Sequence, residues 1–196
     1  MSFLSENNKQ HKENIDKVCT FLHEIGISVN VQEGVNGFLN HIIIKDGGLI
    51  IDPICCIMNI LHEAGHIATM PKLYRHLMND NVTAAMKYAY EDIDKMNLPL
   101  DHPLQRAILQ ASEQEAITWG WIAGRHLNFA PNIIFSNKEE KFAFEGEAEE
   151  VRRNHELIRF PLGAHGLAAG GFCQVGILNP YNPLPQYPKL IRWLQI

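Results

Sequence analysis

Apolar residues recur at helical spacing within the polar N-terminal stretch. Ile15, Val18, Leu22 and Ile25 stand three or four apart in a segment running from about residue 7, and Gly26 follows where a helix commonly stops. The pattern predicts an amphipathic first helix. The period then shortens to two in ISVNVQ (27–32). In FLNHIIIKDGGLIID (38–52), two β-branched runs flank Lys45-Asp46-Gly47-Gly48, which reads as a hairpin turn. A small sheet of about three strands is therefore expected.

Asp52-Pro53 has the form of an N-cap followed by proline at the first helical position, and the apolar-rich run ICCIMNILHEAGHIAT continues to Pro71, where a helix must end. Ile57, Ile60, Leu61, Ala64 and Ala68 form its core stripe, with His62 and His66 along one edge. Residues 72–106 are more polar, with a helix expected over Ala84–Lys95, and they read as an insertion. From Pro103 a single long helix is expected, with Ile108, Ala111, Glu115, Thr118, Trp119 and Ile122 on one face. Glu115 stands on the apolar side. A buried carboxylate is costly unless it is paired, protonated or bound to a metal, so that position calls for a partner. Glu113 points away and reads as a solvated charge. Residues 128–150 end in the charged run KEEKFAFEGEAEE, a solvated face or a flap over a cleft. Gly163, Gly166, Ala169 and Gly170 suggest close helix packing, and the C-terminal stretch reads as a proline-rich connector and a short docked helix around Leu190–Leu194.

Composition narrows the class without naming a function. The 196 residues fit one domain, 1–196, and 46% apolar with 20% charged residues is ordinary for a globular protein. A net charge of −5 gives no electrostatic reason to expect a nucleic-acid partner or an anionic membrane surface. The polar first twenty residues have no signal-peptide core and no later apolar run reaches spanning length, so a cytoplasmic protein without a membrane segment is expected. The four cysteines contain no C-x-x-C pair and read as reduced, small apolar residues.

Candidate chemistry gathers at His62-Glu63-Ala64-Gly65-His66, an H-E-x-x-H sequence. Histidines four apart share a helix face about 6 Å apart along the axis, so their imidazoles can converge on one ion while Glu63 reaches a water on it. The motif does not extend to a third histidine, since Thr69 and Lys72 occupy the positions such an extension requires. Here the chain resembles the zincin metallopeptidases of the gluzincin type, whose third ligand is a glutamate on a later helix; Gln114-Glu115-Ala116-Ile117 is similar to their Glu-Ala segment. The likeness covers roughly residues 38–70 and 107–127. It departs at Trp119, where the family often carries an acid.

The resemblance implies an α+β, mainly helical, zincin-like fold and Zn²⁺ held by His62, His66 and Glu115. It further implies Glu63 as general base on a zinc-activated water, and a peptide or protein substrate. His165, with His155, Tyr181 and Tyr187 behind it, is a candidate donor to the developing oxyanion, against the alternative of a structural histidine. Two further readings stay open: a regulatory or binding module whose zinc joins two helices with little or no peptidase activity, and a metal-free domain with an incidental motif. Glu63 favours an enzyme over the first of these, because a structural zinc needs no base beside its ligand.

Overall fold

A computed structural model describes residues 3–99, 101–136 and 148–196. The chain is α+β and mainly helical, with one small sheet. Helix α1 (Phe3–Ile25) buries Ile15, Val18, Phe21 and Leu22 and ends at Gly26, whose φ of 94° closes the helix in a left-handed residue. Strands β1 (Val29–Val31), β2 (Ile42–Lys45) and β3 (Gly48–Ile51) lie in the order β1-β3-β2, β1 parallel and β2 antiparallel to β3. The β2–β3 turn is the one the pattern predicts. Lys45 pairs with Gly48 across Asp46 and Gly47, both at positive φ (51° and 75°), as a two-residue turn matched to strand twist requires.

Helix α2 (Ile57–Thr69) carries H-E-x-x-H and is buried along its whole length. It starts later than Asp52-Pro53 predicts. The Asp52 carboxylate instead accepts the amides of Gly34 (2.6 Å) and Ile54 (3.0 Å), making a local turn that pins the preceding loop. Cys56 caps the helix, its Sγ accepting the Asn59 amide at 3.3 Å. Pro71 ends it as expected, and α3 (Lys72–Arg75) and α4 (Val82–Met96) follow, α4 capped by the Asn81 side chain.

The long helix expected from residue 103 is broken. Helix α5 (Pro103–Leu109) stops, and α6 (Glu113–His126) restarts after Ser112, where the Ser112 and Glu115 side chains form a reciprocal capping box. Helix α7 (Pro131–Ile134), α8 (Ala148–Leu157) and α9 (Leu162–Ala169) complete the helices of the described residues. Residues 137–147, most of the charged run read as a solvated face or flap, lie outside them. The short helix expected at Leu190–Leu194 is absent. That segment runs irregularly, its backbone amides tied to Phe172 O (from Ile191) and Ala68 O (from Gln195), both at 2.8 Å, while Leu190, Trp193 and Leu194 pack on the core.

Helices α2 and α6 form the centre, and glycine sets how closely they approach. A Cβ on Gly65 would lie 2.8 Å from the Ala116 Cα, and one on Gly120 would lie 3.0 Å from the Leu61 carbonyl oxygen. The next face of α6 packs under α9, where Gly163 and Gly166 leave room for Gln114, Thr118 and Glu115. Trp119, fully buried, fixes the C-terminal stretch by donating from Nε1 to Trp193 O at 2.9 Å. Among the described residues no helix is long and apolar enough to cross a membrane.

Candidate metal centre

Helix α2 presents His62 and His66 one turn apart, as the spacing requires. Both are buried, and their Nε2 atoms lie 3.2 Å from each other. Against them comes Glu113 from the first turn of α6, its Oε2 at 3.4 Å from His62 Nε2 and its Oε1 at 3.2 Å from His66 Nε2. Among the described residues, this is the group of histidine, cysteine or carboxylate side chains whose ligating atoms gather closely enough, within 4.8 Å of one another, to hold a metal ion.

The spacing fits an ion. Donor atoms about 2.0–2.2 Å from a tetrahedral centre are about 3.3–3.6 Å apart; here the two Nε2 atoms are 3.2 Å apart, each faces a different oxygen of the Glu113 carboxylate at 3.4 and 3.2 Å, and one ligand atom from each residue lies within 4.8 Å of the others. The donor chemistry fits as well, two imidazole nitrogens and one carboxylate leaving a fourth position open. Glu113 remains ionised. Burial alone would raise its pKa, but hydrogen bonds from His62 and His66 and their charge outweigh that and hold it well below the usual carboxylate range.

Glu115, expected as the third ligand, is elsewhere. It is buried, and its Oε2 accepts from the Ser112 amide at 3.1 Å and from the Ser112 hydroxyl, so its partner is the cap of its own helix. Gly166 of α9 covers it. The helical face explains the exchange: Glu113 heads the stripe Ala116, Gly120, Gly124 that packs on α2, whereas Glu115 and Thr118 belong to the face under α9. Two signals in the sequence carry this. Ser112-x-x-Glu115 is a capping-box pattern that starts a new helix, and the small residues at 116, 120 and 124 mark the side of closest approach.

Glu63 points with His62, His66 and Glu113 into one cleft of about 760 Å³, whose other walls are Asn36–Phe38 and Asp80–Thr83 at the start of α4. The segment read as an insertion thus supplies one wall. Burial raises the Glu63 pKa to about 7, opposed by the charge of His62 and reinforced by Glu113 and Asp80. Asp80 also braces the cleft edge, its Oδ2 accepting the Phe38 amide at 2.8 Å.

His165 does not join this group. It is exposed on α9, 6.4 Å from the Phe160 ring, and does not line the cleft. His155 is held by Thr118 (3.2 Å) and Val151 O (2.8 Å) between Trp121 and Phe135, and Tyr181 is exposed. Tyr187 packs against Phe160, and His126 packs at a tilt against Phe21 and Trp193.

Comparison with protein-family models, with curated proteins and with solved structures finds no match to this chain. A functional reading therefore rests on the chemistry of the cleft.

Proposed function

We propose that this protein is a zinc-dependent hydrolase of the metallopeptidase type, with His62, His66 and Glu113 as metal ligands and Glu63 as general base. The observation that carries the reading is the convergence of two Nε2 atoms and one carboxylate at ligand spacing beside a further carboxylate in an open cleft. A zinc ion bound there would act as a Lewis acid, bringing the pKa of a coordinated water towards neutrality and polarising a carbonyl.

The residues have separable tasks. His62 and His66 would bind through Nε2, each Nδ1 being buried, and the helix holds the two ring centroids 4.8 Å apart. Glu113 closes the ligand set from the second helix and offsets part of the positive charge. Glu63, adjacent to His62 and buried on the cleft wall, takes a proton from the attacking water on its carboxylate and returns it to the leaving nitrogen.

The packing argues against a zinc whose main task is to join helices. Gly65 and Gly120 already bring α2 and α6 into backbone contact, and a core on both sides secures them without an ion. The test is Glu63→Gln, which keeps the ligands. Zinc binding should remain within a few-fold while hydrolysis of a casein or peptide library falls by at least about 10²-fold, the scale for losing general-base catalysis. Equal turnover in that variant removes Glu63 from the mechanism.

A further inference from the structure

A second cavity, of about 320 Å³, shares no lining residue with the metal cleft. Its walls come from the first turns of α5, the end of α9, Leu184 and the C-terminal stretch through Ile196, and no Asp or Glu side chain lines it. Arg192 enters it. The guanidinium lies over the Phe172 ring, 5.1 Å from its centre, and one nitrogen, Nη2, donates to Gly170 O (3.1 Å) and Gln195 Oε1 (2.8 Å). Both acceptors are neutral. The Nε–H is buried with no acceptor, and among the described residues no carboxylate lies within ion-pair distance of this side chain. A guanidinium has five N–H donors in a planar fork suited to two oxygens of one anion.

Such an arrangement is incomplete. A partly buried cation whose two hydrogen-bond acceptors are neutral is costly, and since its Nε–H is closed to solvent, a ligand in the cavity would meet the guanidinium at its other nitrogens. Arg106 lines the same cavity as a second cation, paired only with the exposed Asp101 at 2.9 Å. Pro103, Leu104 and Leu184 supply apolar lining. We propose that this cavity binds a small organic oxyanion, a carboxylate or phosphate on a short apolar body, held by Arg192 with Arg106 as the second cation. The inference does not depend on the metal centre or on its chemistry.

Isothermal titration of the full zinc-loaded chain with benzoate and with inorganic phosphate tests it. Besides any binding at the zinc, saturable binding at one further site is expected for at least one probe, and the preferred probe identifies the head group. Arg192→Gln should weaken it about tenfold or more, the scale for losing charge-assisted hydrogen bonds. Leu184→Trp, which fills the cavity and leaves the guanidinium in place, should abolish it and keeps the test valid if Arg192→Gln unfolds. His66→Ala should leave it unchanged. No saturable binding of either probe at that further site overturns the proposal. So does binding there that survives Leu184→Trp, or that is lost in His66→Ala, since the anion would then sit on the metal.

Discussion

Replacing Gly65 by alanine probes the contact that brings the two halves of the metal centre together. At an open helical position this exchange stabilises by about 1 kcal/mol, because alanine is the better helix former. Here the added Cβ would lie 2.8 Å from both the Cα and carbonyl carbon of Ala116, and closer still to its oxygen. Ordinary carbon–carbon contact is about 3.5–4.0 Å, so the helices must part by about 1 Å. The obstacle is backbone of α6, which cannot rotate aside as a side chain would. Overpacking of this kind costs about 1–3 kcal/mol, enough to cancel the propensity gain and leave a net loss of about 1 kcal/mol. For a chain of this size that lowers Tm by about 2–4 °C.

The larger effect should fall on the metal. Glu113 stands one turn before Ala116 on the displaced helix, and metal sites tolerate ligand shifts of only about 0.2 Å. Zinc affinity, measured by competition with a chromophoric chelator, should drop about 10–100-fold, as when support around a ligand is lost. A Gly65→Ala protein that melts higher than the parent and binds zinc equally well would refute both the close approach and its role in delivering Glu113.

Stability should also respond to pH through His155, whose pKa is lowered from 6.5 by burial, only partly opposed by its hydrogen bond to Val151. Between that lowered folded value and 6.5 the unfolded chain binds more protons, so stability falls as pH drops through this window. Urea unfolding of the metal-free protein should show a shallower acid-side slope in His155→Gln, and an identical slope would remove His155 from the account. Ser112→Ala should cost about 1 kcal/mol through loss of the α6 cap, read as a Tm shift of about 2–4 °C. An unchanged Tm would mean that the Ser112–Glu115 box carries no weight.

Periodicity alone made much of the fold legible. The β-branched runs around Asp46-Gly47 specify the hairpin because positive φ at both turn residues suits Asp and Gly, and the H-E-x-x-H helix declares its Pro71 stop, although it is buried all round and not along one stripe. Spacing also places His62 and His66 together, since a helix leaves them no alternative. The third ligand was harder to read. Glu115 lies on an apolar face and calls for a partner, but the partner is Ser112, three residues back, and the cap also breaks the helix into α5 and α6. Glu113 shares the small-residue face of Ala116, Gly120 and Gly124 that packs on α2, so a residue that looks solvated when the apolar face alone is followed becomes part of the centre. The Arg192 cavity has no local signature, because its walls come from four separate parts of the chain.

The central claim is that His62, His66 and Glu113 together bind one metal ion, and zinc content after purification and dialysis measures it directly. About one zinc per chain is predicted for the parent and for Glu115→Gln, which keeps a side chain able to complete the cap, and none for Glu113→Ala. Zinc retained in Glu113→Ala but lost in Glu115→Gln would contradict the account.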